Sequence, residues 1–205
     1  MRKKCVIISG GEYDPAVEVL KDDYVIACDK GYSYALKMNL KPNLVIADFD
    51  SYEGGVGENI PVLKFPCEKD DTDTMAAVKW AVGRGFKEIF ICCALGGRLD
   101  HMMANIQSGA YIAGRGLKAK ICSSTDEMHF IKDGELVLKK KEGFSLSVFS
   151  LTDISEGVTI KGAKYEMEDG ELTNSFPLGV SNEWKDEEVK ISVKKGMLLT
   201  VTSKY

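Results

Sequence analysis

The stretch Ile89-Phe90-Ile91-Cys92-Cys93-Ala94-Leu95-Gly96-Gly97-Arg98-Leu99-Asp100-His101 decides the fold. Its first seven residues are apolar without a break and read as a buried strand. Two glycines then interrupt it, after which Leu99, Met102, Met103, Ile106 and Ala110 recur at helical spacing. Strand, glycine turn and helix in that order form the repeating step of a parallel sheet covered on both faces. Working outward, strand-like runs lie at residues 5–9, 24–28, 44–47, 62–65, 88–95 and 119–122. Within 72–84, Met75, Val78 and Val82 keep the helical period.

The pattern changes after Ser123-Ser124-Thr125-Asp126. Short strand-like runs at 128–131, 135–138, 145–149, 158–160, 189–193 and 197–202 are separated by turn pairs such as Asp133-Gly134, Asp169-Gly170 and Lys195-Gly196. No helical period survives there. The predicted fold is α/β: an N-terminal parallel-sheet domain over residues 1–124, followed by a small all-β sandwich domain over 125–205.

Bulk properties narrow the function classes. A chain of 205 residues with formal net charge −4 carries no basic stripe interleaved with aromatics, so no nucleic-acid partner is expected. The apolar run after Met1-Arg2-Lys3-Lys4 stops at Gly10-Gly11, too short for a signal peptide, and nothing approaches the roughly 18 apolar residues of a membrane span. The six cysteines include no Cys-x-x-Cys pair, and five lie in strand-like runs. They read as reduced thiols of a cytoplasmic protein rather than a disulfide framework.

Three acidic signatures fall at the turns where a parallel sheet presents its ligand crevice. Asp48-Phe49-Asp50-Ser51 follows the apolar run 44–47. It suits a metal site, a haloacid-dehalogenase-type phosphatase, or a simple Asx turn. A calcium loop would need Gly and Glu where this chain has Glu53 and Asn59. Asp70-Asp71-Thr72-Asp73 opens a helix, and one or two of its residues suffice as a cap. The surplus of acids points to metal or substrate. In Gly96–His101 the glycines let backbone amides approach a phosphate, Arg98 suits bidentate phosphate contact, and Asp100 is a candidate metal ligand. The competing reading is a glycine turn with an aspartate cap; His101 reads as structural. Gly10-Gly11 and Asp29-Lys30-Gly31 place two more permissive turns at strand ends. Clustered hard oxygen ligands beside an arginine favour Mg²⁺ carrying nucleotide phosphates. In the second half, Ser181-Asn182-Glu183-Trp184 reads either as a polar loop with one packing tryptophan or as a patch for a ring-bearing ligand.

Together these residues resemble the thiamine pyrophosphokinase family in its bacterial form. The likeness rests on Ala47-Asp48-Phe49-Asp50-Ser51, Lys69-Asp70-Asp71-Thr72-Asp73, Gly96–His101, residues 157–165 and 179–184, in that order along the chain. It implies a nucleotide-binding α/β domain, a thiamine-binding and dimerising β-sandwich, and a homodimer whose sites are shared between subunits. The implied reaction moves a pyrophosphoryl group from ATP to the thiamine hydroxyl and releases AMP, by direct attack on the β-phosphorus. ATP is then expected against Gly10, Gly11, Asp29, Lys30, Gly31, Asp70, Thr72, Arg98, Leu99 and Asp100. Mg²⁺ is expected at Asp48, Asp50, Asp73 and Asp100, and thiamine at Ser181, Asn182, Trp184 and Asp73. Asp73, Asp100 and Arg98 carry the catalytic expectation, with Asp73 accepting the hydroxyl proton. Two alternatives stand beside this reading: a phosphatase using Asp48 and Asp50, and a thiamine- or nucleotide-binding sensor without turnover.

Overall fold

The computed structural model describes residues 4–47, 57, 59–64 and 71–205. Strands occupy the six apolar runs of the first half: β1 (Lys4–Ile8), β2 (Tyr24–Cys28), β3 (Leu44–Ala47), β4 (Val62–Lys64), β5 (Glu88–Cys92) and β6 (Lys118–Cys122). Among the described residues three helices join them: α1 (Gly31–Lys37), α2 (Asp73–Gly83) and α3 (Leu99–Ala113). The chain divides into two compact units, one of Met1–Ile112 with Leu117–Ser124, the other of Ala113–Gly116 with Thr125–Tyr205.

In the first unit the strand order is β6-β5-β1-β2-β3-β4, and each neighbouring pair is parallel. Alternation along each strand sends side chains to opposite faces. Ile8, Val25, Ala27, Val45 and Ala47 share one face and form a core with Tyr32 and Ala35 of α1. Tyr24 and Cys28 point the other way, to α2: Tyr24 stacks on Trp80 with ring centroids 5.3 Å apart, and the Cys28 thiol meets the Asp73 carbonyl at 3.5 Å. Ser108 of α3 reaches Met75 of α2, which places both helices on that second face. The sequence reading contained no α1. That helix has only seven residues and buries just Gly31, Tyr32 and Ala35, too few to show a period.

The second unit holds eight strands in two antiparallel sheets. β7 (Asp126–Lys132), β9 (Phe144–Ser150), β14 (Met197–Lys204) and β12 (Gly179–Asn182) make one, in the order β12-β9-β14-β7. β8 (Glu135–Lys139), β10 (Ile154–Lys161), β13 (Glu188–Ser192) and β11 (Met167–Thr173) make the other, in the order β11-β10-β13-β8. Ile131, Leu146, Val148 and Leu198 from the first meet Val158, Ile160, Leu172, Val189 and Ile191 from the second in a single core. Two strands, β11 and β12, were absent from the sequence reading. Each lies at a sheet edge with a single buried residue, Leu172 or Asn182, so no apolar alternation marks it.

Gly31 shows why a small residue is required where α1 starts. A Cβ there would fall inside the van der Waals shell of the Ile8 carbonyl. The left-handed backbone of that turn sits instead at Asp29, with φ 46°. Gly31→Ala is expected to cost at least about 2 kcal/mol through backbone displacement, read as a lower Tm in calorimetry.

Candidate active site

β1 has β2 on one side and β5 on the other, so the strand order reverses about it. Parallel strands end on the same edge, and the crevice beyond such a reversal is where open α/β sheets bind ligands. The loops after β1 and β5 are tied there by backbone hydrogen bonds. The Gly11 N–H donates to the Cys93 carbonyl (2.8 Å), and the Glu12 N–H donates to the Leu95 carbonyl (3.1 Å). A Cβ at Gly11 would lie 2.8 Å from the Cys93 oxygen, so the approach needs glycine. Cys93 itself takes a left-handed conformation (φ 52°), a strain that the surrounding bonds hold in place.

A cleft of about 650 Å³ opens beyond these loops. Among the described residues it is lined by Ser9, Gly10, Gly11 and Glu12 after β1, Cys28, Asp29 and Lys30 after β2, Asp71–Thr74 at α2, and Ala94, Gly96, Gly97, Arg98, His101 and Asn105 at α3. Four segments distant in sequence thus converge. Of the expected ATP contacts, Gly10, Gly11, Asp29, Lys30, Thr72 and Arg98 line this cleft; Gly31, Leu99 and Asp100 do not. Asp48, Asp50 and Asp70 lie outside the described residues.

At the start of α2 the acidic signature divides its work. Thr72 is the N-cap, its hydroxyl accepting the Met75 N–H at 3.1 Å. Asp71 pairs with Lys79 at 2.7 Å. Asp73 lines the cleft from the first turn, where the helix end favours negative charge. Thr74 is buried and hydrogen-bonded to Ser9 at 2.7 Å, which pins the helix start to the end of β1.

At α3 the turn before the helix is left-handed at both Gly96 (φ 76°) and Gly97 (φ 72°). Asn105, one face along the helix from Arg98 and His101, holds the Ala94 carbonyl at 2.7 Å. Arg98 and Asp100 form an exposed bidentate pair, with Nε to Oδ1 at 3.1 Å and Nη2 on Oδ2. The Arg98 hydrogen bond holds the Asp100 carboxyl below its ordinary range, with the His101 N–H adding to it, and the same bond raises Arg98. An exposed pair of this kind contributes little to stability and opens readily to a stronger ligand.

The donor set suits a hard divalent cation. Among the described residues Glu12, Asp29 and Asp73, with the Lys79-paired Asp71, face the cleft beside Lys30 and Arg98, so a polyphosphate entering it gains from further positive charge. Among the described residues no three acidic, His or Cys groups converge as a metal cage. Ser9, Glu12, Thr74 and Asn105 also line the cleft, and no sequence motif marks them. Their signals, a residue beside a glycine pair or one helical step from a motif, are too common to stand out alone.

In the second unit, Ser181-Asn182-Glu183-Trp184 is not a free polar loop. Ser181 and Asn182 belong to β12, and Trp184 bridges to Ala163. Asn182 is buried, its amide donating to the Tyr165 carbonyl (2.7 Å) and accepting the Tyr165 N–H (3.0 Å). Trp184 is half-buried against the sandwich core and donates to the Leu138 carbonyl at 3.4 Å. Ser181 is exposed, with φ 58°.

Residues 18–121 match the family model of the thiamin pyrophosphokinase catalytic domain, and residues 135–198 that of the thiamin pyrophosphokinase vitamin B1 binding domain. The chain belongs to the thiamin pyrophosphokinase family. It is similar to thiamine pyrophosphokinase of Bacillus subtilis (strain 168), 29% identical over 209 residues that span 96% of this chain and 97% of that one. The crystal structure of thiamine pyrophosphokinase from Bacillus subtilis superposes with a TM-score of 0.88 at 25% identity, covering 99% of this chain and all of that one. Thiamin pyrophosphokinase from Candida albicans, at 12% identity, shares the fold with a TM-score of 0.74 over 99% of this chain and 90% of its own. Thiamin pyrophosphokinases thus keep this architecture at low identity, and neither the phosphatase nor the sensor alternative finds support among these relatives.

The Arg98–Asp100 pair carries a pH signature. A depressed carboxyl stabilises the folded state above the ordinary Asp range, near pH ~4, and that contribution fades as pH falls through the lowered value. Carboxyl-carbon NMR should place the Asp100 midpoint below the ordinary range, and Arg98→Ala should return it there.

Proposed function

We propose that ATP binds with Mg²⁺ in the cleft beyond β1, β2 and β5, its phosphates reached by Lys30, Arg98 and the Gly97 amide. As a member of the thiamin pyrophosphokinase family, the chain transfers a pyrophosphoryl group from ATP to thiamine and produces thiamine diphosphate. The observation that carries the site is the convergence of glycine turns, two cations and clustered carboxylates at the strand-order reversal of a family member.

In the reaction, the thiamine hydroxyl oxygen bonds to the β-phosphorus while the bond from that phosphorus to the α–β bridging oxygen breaks. The bridging oxygen leaves with AMP. Lys30 and Arg98 compensate phosphate charge, and backbone amides at the start of α3 orient the chain of phosphates. Asp73 takes the hydroxyl proton. Asp48, Asp50, Asp73 and Asp100 would hold Mg²⁺, which supplies charge neutralisation when bound. Arg98 and Asp100 leave their mutual pair to do so.

Thiamine is assigned to the second unit's Ser181, Asn182 and Trp184, contributed by the other subunit of a homodimer. The match of residues 135–198 to a vitamin B1 binding domain supports this, as does the exposure of Ser181 on β12. In that role Asn182 acts by shaping the loop, because its amide is already committed to Tyr165. Among the described residues no helix is long and apolar enough to cross a membrane, and five cysteines are free thiols. A reducing cytoplasmic location is the reading these thiols favour.

Incubation with ATP, Mg²⁺ and thiamine should yield thiamine diphosphate and AMP in equal amounts by chromatography; ADP instead would refute attack at the β-phosphorus. Asp73→Asn should lower kcat at least about a hundredfold with modest change in KM for thiamine. Trp184→Ala should raise KM for thiamine and leave ATP binding nearly intact. Mixing these two inactive or weakened proteins should restore activity through hybrid dimers, and its absence after proven subunit exchange would mean each site comes from one chain.

A further inference from the structure

Glu12 holds a position that the reaction outlined above does not use. Its N–H is fixed to the Leu95 carbonyl at 3.1 Å, which carries its side chain across the turn before α3. There Oε1 accepts the Gly97 N–H at 3.2 Å. The Glu12 Cγ, Cδ and Oε2 atoms are also what a Cβ at Gly96 would meet first, so the carboxylate lies directly over the left-handed glycine pair. The residue lines the cleft yet is exposed, and among the described residues it has no ion-pair partner. A negative group on a backbone N–H at a helix start, beside Arg98, takes the place a phosphate oxygen would take.

We infer that Glu12 is a resident competitor for the phosphate seat: its carboxylate occupies the Gly97 amide in the nucleotide-free protein and yields when ATP enters. This rests on the assignment of ATP to the cleft. Displacement requires one hydrogen bond to open at an exposed site, a small barrier because water receives the released carboxylate. After displacement the carboxylate stays tethered through its backbone near a polyanion. Its repulsion weakens nucleotide binding, and salt screens part of that effect. Glu12 therefore sets ATP affinity and its dependence on ionic strength.

The test compares wild type with Glu12→Gln and Glu12→Ala, using ATP with Mg²⁺ in calorimetry and steady-state kinetics at low and high salt. Removing the charge should lower Kd and KM for ATP about three- to tenfold at low salt, with the gap to wild type shrinking at high salt. Glu12→Gln keeps the reach and an acceptor oxygen, so it separates charge from loop support. In ¹⁵N NMR, the Gly97 amide of the nucleotide-free protein should shift in Glu12→Ala, and in wild type it should shift on adding ATP. If ATP moves no cleft amide, the assignment of the cleft fails, and if it moves others but not Gly97, the competitor role is overturned at Gly97. If Gly97 responds but both variants bind ATP no more tightly than wild type, or more weakly, the competitor role is overturned while the cleft assignment stands.

Discussion

The backbone pairing of β1 between β2 and β5 is the constraint on which the rest of the molecule's first unit depends. It brings the ends of three parallel strands to one edge, and the Gly11 N–H to Cys93 carbonyl bond then locks two of the following loops together. Without a glycine at 11 those backbones could not meet at 2.8 Å. The Ser9–Thr74 hydrogen bond extends the same lock to the start of α2. A cleft built this way is rigid at its base, while the side chains that reach into it remain exposed.

Charge organises what that cleft can accept. Among the described residues its lining holds more carboxylates than cations, an arrangement that disfavours a polyphosphate alone and suits one accompanied by a divalent ion. The acids are not equivalent. Asp71 is neutralised by Lys79, Thr72 rather than an acid performs the capping, and Asp100 is held by Arg98 outside the cleft lining. Pairing of this kind keeps the charges from destabilising the nucleotide-free protein and leaves weak contacts that a strong ligand can replace.

The second unit solves a different problem, the display of a small surface by a stiff sandwich. Its core draws on both sheets, and its polar motif at 181–184 is anchored by Asn182 to Tyr165 and by Trp184 to the core and Leu138. Those anchors fix a run that reads as loop to an edge strand that exposes Val180 and Ser181.

Along the chain, continuous apolar runs determined the parallel strands, helical spacing determined α2 and α3, and the glycine and acidic motifs determined the family likeness, because each of these signals is local. The short helix α1 and the edge strands β11 and β12 were not legible, since each buries too few residues to impose a period. The sequence likewise held the motif Asp70-Asp71-Thr72-Asp73 but not the allocation of cap, ion pair and cleft lining among its described residues. Only the tertiary structure decided that Gly31 packs against β1 rather than lining the cleft, that Arg98 and Asp100 pair with each other, and that Glu12 covers Gly97. Those facts depend on contacts between residues as far apart as 12 and 97, and no local pattern encodes a distance across the sheet.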